Sequence, residues 1–355
     1  MKFHNDFFFK KAFSENLEEK KNFFEKYINL ITVHHYKNSH HYKNYLKKID
    51  YDITQKNSIK DIPFIPVRLF KELDLISIAK KNIYKTLFSS GTSSSSLSRI
   101  YLDKLNAFNQ MKILQKIFYE IVAKTRYPMI VVDKKPNILN RDSFNASIAA
   151  VNGFSMFAKN ISYLLDENGN IDYASLKIFL KKNFQKKFLI FGFTSNIYLH
   201  LTQKLDSNKI DLNLFKHGMI IHGGGWKKLE EKKIDNHQFN NLLKKKLKVN
   251  FIKNYYGLIE QIGSIFFECN CGYFIPSNYS DVIIRDENLN QCKKGQKGFI
   301  QLLSLLPTSY PGHSILTEDI GEIIDDKNCN CYGAGTRFIV HGRLKNAELR
   351  GCSNI

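Results

Sequence analysis

The chain has 355 residues, 43% of them apolar and 13% aromatic, which excludes a disordered chain and suits one large domain or two modest ones. Its formal net charge is +20, from 53 Lys and Arg residues against 33 Asp and Glu residues. The lysines are scattered along the chain without a nucleic-acid-binding motif. We therefore expect a lysine-rich, solvated surface that attracts an anionic substrate or an acidic protein, and no nucleic acid as partner.

Residues 1–60 predict a layer of helices. Apolar side chains recur there at helical spacing, at Phe8, Phe9, Phe13, Leu17, Phe23 and Phe24. The start of the chain lacks the pattern of a secretory signal, and no apolar run approaches the length that crosses a bilayer. Six cysteines are too few for a disulfide scaffold in so long a chain. These features predict a cytoplasmic protein without a membrane span.

A serine-rich run, SSGTSSSSLSR from Ser89 to Arg99, follows the segment DIPFIPVRLF, whose two prolines predict an irregular stretch or an edge strand. Gly91 permits a tight turn that points several N–H groups at one anion, and Arg99 adds a cation. Further donors are the hydroxyls of Ser89, Ser90, Thr92 and Ser93. The run fits a phosphate-binding loop, although a flexible linker has much the same composition.

Helical and strand patterns alternate beyond residue 100. The order is helix LNAFNQMKILQKIFYEIVAK, strand PMIVVD, helix near DYASLKIFLKKNF, strand FLIFGF, helix NIYLHLTQKL and strand GMIIHGG. This alternation predicts an α/β sheet with substantial parallel character, whose ligands bind at the carboxyl ends of the strands. A pocket for an aliphatic chain or a ring is expected there, near residues 191–194 and Trp226.

The same patterns divide the chain into four predicted parts. Strand and turn signals dominate after Asn250, which marks a second subdomain. The parts are an N-terminal helical layer over residues 1–60, an α/β core with the phosphate loop over 61–250, a strand-rich nucleotide-binding and zinc subdomain over 251–345, and a C-terminal tail over 346–355.

Two motifs in the second half of the chain predict contacts with a flat ring and with a metal ion. HGGGW contains Gly224 and Gly225, a glycine turn against which a ring can lie. NYYGLIEQ contains the possible stacking faces Tyr255 and Tyr256, followed by Glu260. A carboxylate at that place suits Mg²⁺ bound to phosphates.

Two later motifs supply groups that recognise a sugar and a phosphate. TEDIG offers Asp319 as an acceptor for a ribose hydroxyl. HGR offers Arg343, whose guanidinium is a forked donor for phosphate or ribose oxygens.

The order of these motifs resembles that of a known enzyme superfamily. SSGT, a glycine turn, N-Y-Y-G-x-x-E, T-E-D and G-R follow one another as in the adenylate-forming acyl and aryl ligases. Within that superfamily the chain is most similar to the acyl-protein synthetases of bacterial bioluminescence, the long-chain-fatty-acid luciferin-component ligases. The resemblance covers nearly the whole chain, through IPFIPVRLFK, SSGT, FGFT, HGGGWKKL, YYGLIEQIG, SYPGHSILTEDIG, HGR and RGC.

The resemblance implies a fold and an activity. The fold would be the α/β core of an adenylate-forming ligase, with mixed and parallel sheets flanked by helices and a smaller strand-rich C-terminal subdomain, without the mobile C-terminal catalytic domain of larger ligases. The activity would be ATP- and Mg²⁺-dependent conversion of a carboxylic acid, a fatty acid above all, into an acyl-adenylate, followed by acyl transfer to a thiol.

The resemblance also implies roles for individual residues. Glu260 and Arg343 would act in the reaction, with Glu260 helping to hold Mg²⁺. The nucleotide-binding residues would be Ser89, Ser90, Gly91, Thr92 and Ser93 at the phosphates, Tyr256 at the adenine, Asp319 at the ribose, and Gly224, Gly225, Tyr255 and Gly257 in the same pocket.

Cys352 is the fourth residue from the C-terminal end of the given sequence, in the context ELRGCSNI. A thiolate on a short tail after Gly351 can swing toward an adenylate, and Arg350 can lower its pKa. The acyl-protein synthetases carry their acylation site at a cysteine in this position, which implies a catalytic role for Cys352. The alternative is an exposed thiol without a role.

Two C-x-C pairs predict a structural zinc site. Cys269 and Cys271 form one pair, and Cys329 and Cys331 form the other. Four thiolates from two turns can close a tetrahedron around Zn²⁺, while ordinary buried thiols are the alternative. Cys292 lies among polar residues and is treated as incidental.

Two alternative functions remain open. The acyl group could pass to coenzyme A, to an acyl carrier protein or to an amino sugar in surface-polysaccharide biosynthesis, and the expected partners include a carrier protein, an acyl-CoA reductase or a thioesterase. A non-catalytic nucleotide-binding homologue is the third possibility. Ile259, where the family carries threonine, and the serines that replace a second loop glycine would favour it.

Overall fold

The computed structural model describes residues 7–8, 10–14, 16–89, 97–136, 146–226, 231–325 and 329–343. The chain divides into two compact units. Unit 1 comprises Met1–Ile121 and Gly257–Ile355, and unit 2 comprises Val122–Tyr256.

Unit 2 is built on a parallel sheet in the order β5-β4-β6-β7-β8. The strands are β4 (Tyr127–Lys134), β5 (Ala158–Leu165), β6 (Phe188–Phe193), β7 (Gly218–Gly223) and β8 (Phe251–Tyr256). The sequences of β6 and β7 are almost wholly apolar because both strands lie inside the sheet and are buried. The predicted alternation of helices and parallel strands is confirmed.

Within the described part of unit 2, four α-helices accompany this sheet, and polar residues cap two of them. Their bounds are α5 (Ala146–Ser155), α6 (Tyr173–Lys182), α7 (Thr194–Asn196, continued by the π-helix Ile197–Lys204) and α8 (Asn236–Leu247). The Asp172 carboxylate accepts from Ser175 N at 2.9 Å at the start of α6, and Asp235 accepts from Gln238 N at 2.8 Å at the start of α8. The predicted helix after β6 therefore exists, with π winding that apolar spacing does not distinguish from α winding.

Unit 1 combines N-terminal helices with a largely antiparallel sheet in the order β11-β12-β13-β14-β10-β9. Its helices are α1 (Leu17–Asn38), α2 (His40–Lys48), α3 (Leu69–Glu72) and α4 (Lys104–Ile121). Its strands are β1 (Ile65–Pro66), the hairpin β2 (Lys85–Phe88) and β3 (Arg99–Leu102), then β9 (Phe266–Glu268), β10 (Phe274–Ile275), β11 (Ser280–Arg285), β12 (Lys297–Ser304), β13 (Ser314–Ile323) and β14 (Phe338–Arg343).

The N-terminal part of unit 1 follows the sequence prediction, with a later start of its long helix. Helical spacing was expected from Phe8, but α1 begins at Leu17, because the Asn16 side chain accepts from Glu19 N and caps the helix. The segment with two prolines contributes β1, a two-residue strand that pairs in parallel with β13 at Ile315. Of the two predicted alternatives, an irregular stretch or an edge strand, the structure thus shows a two-residue strand at this place.

Two buried histidines stack on each other in unit 1. The rings of His35 and His313 lie 4.8 Å apart at 27°, and both residues are fully buried. His35 Nδ1 lies 2.7 Å from Ser77 Oγ, and His313 Nε2 lies 3.2 Å from both Thr32 Oγ1 and the Tyr42 hydroxyl. Burial lowers the pKa of both imidazoles, to about 3 for His313. The pair therefore stays neutral in the folded protein.

We expect this pair to make the protein less stable in acid. Below pH 6.5 the unfolded imidazoles take up protons that the buried rings exclude, so the free energy of unfolding falls as the pH falls, by about 1.4 kcal/mol per pH unit for each histidine. Urea unfolding at pH 7.5 and pH 5.0 measures the slope. His313→Gln should reduce it, whereas the exposed His41→Gln should leave it unchanged; equal slopes in all three proteins would refute the role of the pair.

Candidate functional site

The serine-rich run closes a hairpin in unit 1. β2 and β3 pair with Phe88 opposite Arg99. Beyond this pair, Ser89 N donates to Ser98 O at 3.1 Å and Ser98 N donates to Ser89 Oγ at 2.9 Å. The predicted phosphate-binding residues Ser90, Gly91, Thr92 and Ser93 lie outside the described residues. The ends of the loop are thus held together by a strand ladder, a support that a free linker lacks.

Arg99, the predicted cation at the end of this run, has a partner of its own. Its Nε lies 3.1 Å from Asp74 Oδ1, and the Tyr101 hydroxyl donates to the same carboxylate oxygen at 2.6 Å. Arg99 therefore helps to fix β3, and its charge is partly offset by Asp74.

Glu260 lies in a buried turn next to several charged groups. Its backbone oxygen accepts from the Tyr310 hydroxyl at 2.9 Å, and the following Gln261 donates to Leu302 O at 3.0 Å. Burial raises the pKa of the Glu260 carboxyl, while the Ser98 hydroxyl, its own backbone, Lys71 and Arg343 favour the charged form. The positive charges of Lys71 and of Arg343 in the HGR motif therefore both act on the Glu260 carboxyl.

Asp319 and Arg343 are brought together by strand pairing. They are partners in the register of β13 and β14. The Arg343 guanidinium also contacts the carboxylate of Glu318, which a second arginine, Arg68, contacts from the other side. Although burial raises the pKa of Glu318, the two arginines lower it below its ordinary value. Glu318 therefore stays ionised and holds Arg343.

Unit 1 thus gathers residues from motifs that are far apart in the sequence. Lys71 and Arg343 both favour the charged form of the Glu260 carboxyl, and Asp319 lies opposite Arg343. Sequence reasoning missed Glu318 as the partner of Arg343, although it stands in the TEDIG motif. Arg68 and Lys71 were also missed, although both stand in the quoted segment IPFIPVRLFK.

Two aromatic rings of the protein itself lie against the glycine turn of unit 2, and the binding of a ligand ring there stays a prediction. A Cβ at Gly223 would lie 2.6 Å from Tyr255 O and 2.7 Å from the Tyr255 ring. Gly224 has a φ of +76°, and a Cβ there would lie 2.9 Å from the Phe193 ring. Among the described residues, no atom lies within 4 Å of the corresponding position at Gly225. Gly225 is therefore the glycine of the turn at which the described residues leave room for a Cβ.

The two tyrosines of β8 have different surroundings. The Tyr255 ring packs 5.0 Å from Phe154 and 6.2 Å from Phe191, and burial raises its pKa well above the ordinary value. Tyr256 is the half-buried last residue of β8, and Gly257 begins the return of the chain to unit 1. Packing of Tyr255 inside unit 2 leaves Tyr256 as the better candidate for stacking on a ligand.

Unit 2 has a crevice at the carboxyl ends of its strands and a cavity at their amino ends. The small crevice at the carboxyl ends of the strands is lined by Val131, Val151 and Phe191 among the described residues, and the acyl pocket expected near residues 191–194 and Trp226 stays a prediction. A cavity of about 420 Å³ lies at the amino ends of the strands. Its lining includes the basic residues Arg126, Lys159, Lys182, Lys186 and Lys187. Among the described residues that line it there is no carboxylate.

The four cysteines of the C-x-C pairs meet in unit 1. Cys269 Sγ lies 3.7 Å from Cys329 Sγ, and Cys271 Sγ lies 3.6 Å from Cys331 Sγ. All four sulfur atoms lie within 4.8 Å of one another. Cys352, the predicted acyl acceptor, lies outside the described residues.

Comparison with known proteins identifies the family. A family model described as "Acyl-protein synthetase, LuxE" matches residues 4–355. The chain belongs to this family. Similar curated proteins are the long-chain-fatty-acid–luciferin-component ligases of Aliivibrio fischeri, 25% identical over 95% of this chain and 89% of the relative, and of Vibrio harveyi, 22% identical over 95% and 88%.

The fold is shared with a solved ligase structure. An open conformation of 2-hydroxyisobutyryl-CoA ligase, in complex with 2-HIB-AMP and CoA, matches 94% of this chain and 77% of its own, with a TM-score of 0.73 at 14% identity. The predicted α/β fold and the predicted family are confirmed. As a member of this family the chain is a ligase that forms an acyl-adenylate and transfers the acyl group. Across the described ranges, no helix is long and apolar enough to cross a membrane.

We expect Gly223→Ala to destabilise the protein, because its Cβ would collide with the backbone and ring of Tyr255. The free energy of unfolding in urea should fall by about 1–3 kcal/mol. Gly225→Ala is the matched control, since it adds a Cβ in open space, and should change the value by less than about 0.5 kcal/mol. Equal losses in the two variants would contradict the described packing.

Proposed function

We propose that the protein uses ATP and Mg²⁺ to convert a fatty acid into an acyl-adenylate and then transfers the acyl group to the thiol of Cys352. Membership of the acyl-protein synthetase family supports the reaction, and the names of the two curated relatives support a long-chain fatty acid as substrate. The observation that carries the assignment of the site is the pairing of β13 with β14, which sets Arg343 opposite Asp319 and against the carboxylate of Glu318 in unit 1.

The first half-reaction joins two anions. A carboxylate oxygen attacks the α-phosphorus of ATP, a P–O bond to the acyl group forms, and pyrophosphate leaves. Repulsion between the anions and the growing charge on the leaving group must be reduced by cations and N–H donors. We assign that task to Arg343, which Glu318 orients, and to the backbone of the loop between Ser89 and Ser98.

Glu260 fits the role of a Mg²⁺ ligand. Only 5% of the residue is exposed, and burial disfavours its negative charge, so a cation placed beside it is strongly attracted. Mg²⁺ supplies charge neutralisation at the phosphates when it is bound. The Tyr310 hydroxyl donates to the backbone oxygen of Glu260 and so fixes the turn that carries the carboxylate.

The remaining contacts would hold the nucleoside. Asp319 lies next to Arg343 in the strand register, and its carboxylate can accept from a ribose hydroxyl. In unit 2 we assign adenine stacking to Tyr256 and a close backbone approach to Gly224 and Gly225. Tyr255 supports this surface from the aromatic cluster with Phe154.

The second half-reaction is a displacement at the activated carbonyl. The Cys352 thiolate attacks the carbonyl carbon of the acyl-adenylate, the bond to phosphate breaks, and AMP leaves with the electron pair while a thioester forms. A reductase or a thioesterase would then take the acyl group from that thioester. Five free thiols among the described cysteines fit the reducing cytoplasm, where we place the reaction.

A carrier protein is the second candidate acceptor. The cationic cavity of unit 2 favours it, because five basic side chains without a carboxylate in the lining attract an acidic surface. The cavity lies at the amino ends of the strands, away from the edge at which ligands of parallel sheets bind. We therefore rank direct transfer to Cys352 first.

We expect fatty-acid-dependent exchange of labelled pyrophosphate into ATP, and we expect Glu260→Gln to lower its rate on the order of 10²-fold, because the variant lacks the carboxylate charge. The exposed Glu287→Gln is the control and should retain the wild-type rate. Absence of exchange over a broad panel of acids, with folded protein and Mg²⁺ present, would refute adenylation.

We expect Cys352→Ser to retain pyrophosphate exchange and to lose the covalent acyl group, because only the second half-reaction needs the thiol. Intact-mass spectrometry after incubation with ATP and a fatty acid measures the added acyl mass, and treatment with neutral hydroxylamine identifies a thioester. Cys292→Ser removes a thiol elsewhere and should still be acylated. An acylated Cys352→Ser protein would show that the acceptor is another residue.

A further inference from the structure

We infer that Cys269, Cys271, Cys329 and Cys331 bind one zinc ion, and that this ion joins the turn between β9 and β10 to the segment that leads into β14. The site takes no part in the proposed chemistry of adenylation. It would instead hold in place the strand that ends in Arg343.

The distances between the sulfur atoms are those of a tetrahedral zinc site. With Zn–S bonds of about 2.3 Å, the edge of a regular ZnS₄ tetrahedron is about 3.8 Å long. The measured Sγ–Sγ distances of 3.7 Å and 3.6 Å lie close to this value, and the remaining pairs stay within 4.8 Å. The four thiols are free of disulfides, and a bonded pair would lie near 2.0 Å, far closer than these contacts.

The two closest sulfur contacts connect segments that are distant in the sequence. Cys269 faces Cys329, and Cys271 faces Cys331, so each C-x-C pair supplies one partner to each contact. The first pair lies in a tight turn in which Gly272 N donates to Cys269 O at 3.0 Å and Cys269 N donates to Tyr273 O at 2.8 Å. A metal ion at the centre would therefore cross-link two chain segments, where two separate thiol pairs would hold them only weakly.

The second segment is held in shape by an arginine. The buried Arg337 guanidinium donates to the backbone oxygens of Cys331 at 3.3 Å, Gly333 at 2.6 Å and Gly335 at 3.1 Å. Four thiolates around one Zn²⁺ ion carry a net negative charge, which a neighbouring guanidinium stabilises. The site thus has the outer support that structural zinc sites usually possess.

The four cysteines and the zinc ion proposed between them, called the clamp below, lie near the start of the strand that bears Arg343. β14 begins at Phe338, which pairs with Phe274 of β10 on one side and with Ile323 of β13 on the other. β10 follows directly after the first cysteine pair in the chain, and the second pair precedes β14. Fixing both cysteine pairs therefore fixes where β14 enters the sheet, and with it the register that sets Arg343 opposite Asp319.

Metal analysis of the purified full-length protein tests the site. We expect about one zinc per chain by mass spectrometry of the metal. Cys271→Ser and Cys331→Ser should each reduce the zinc content at least tenfold, whereas Cys292→Ser, which removes a buried thiol elsewhere, should retain it. Replacement by Co²⁺ should produce the visible absorption of tetrahedral thiolate coordination. Protein without metal, iron in place of zinc, or unchanged zinc in the variants would overturn the inference.

Hydrogen exchange tests the clamp in wild-type protein, so it does not depend on variants that fail to fold. Removal of zinc by a chelator should speed exchange at least tenfold at residues 338–343 and lower the melting temperature, and added zinc should restore both. Residues 188–193 of unit 2 serve as the internal control and should not change. Unaltered exchange in β14 after complete zinc removal would refute the clamp. Because zinc content and exchange in β14 are measured without ATP, these results stand apart from the test of adenylation.

Discussion

The pairing of β14 with β13 is the interaction on which the proposed nucleotide-binding side of unit 1 depends. It sets Arg343 opposite Asp319, and the carboxylate of Glu318 on β13 holds the Arg343 guanidinium while Arg68 binds its other side. When one nitrogen of a guanidinium group is bound to a carboxylate, the planar group is oriented and its remaining N–H donors point in a defined direction. Strand register therefore turns two short motifs, distant in the sequence, into one charged surface that can meet a nucleotide.

Glu260 completes that surface at an energetic cost. A carboxylate with so little exposure loses hydration, and burial accordingly raises its pKa. Lys71 and Arg343 offset part of this loss, because both favour the charged form. The same loss of hydration strengthens the attraction to any cation that binds beside Glu260. The charged groups of such a site are in place before the ligand binds. Catalysis of a reaction between two anions requires this preorganisation.

The features that the sequence predicted well depend on local periodicity and on motif order. FLIFGF becomes β6 with the expected bounds, since an apolar run of that length suits a strand buried on both faces. The features it could not predict depend on contacts between distant residues. The different surroundings of Tyr255 and Tyr256 follow from the placement of Phe154. The hold of Glu318 on Arg343 and the choice of Cys329 as neighbour of Cys269 follow from sheet register, which no single segment encodes. Motif order indicated which residues matter, and tertiary structure determined their partners.

The position of Ile259 bears on whether the chain is catalytic or only binds a nucleotide. Its side chain packs against the apolar cluster that contains Tyr310, the residue whose hydroxyl fixes the backbone of Glu260. Isoleucine at this place therefore adds apolar contact beneath the turn, while Glu260 keeps its charged neighbours Lys71 and Arg343. In the proposed phosphate site the replaced hydroxyl would be one donor among several, whereas the buried carboxylate of Glu260 is the proposed Mg²⁺ ligand and is retained. The substitution is thus compatible with an active ligase, and it gives the non-catalytic alternative little support.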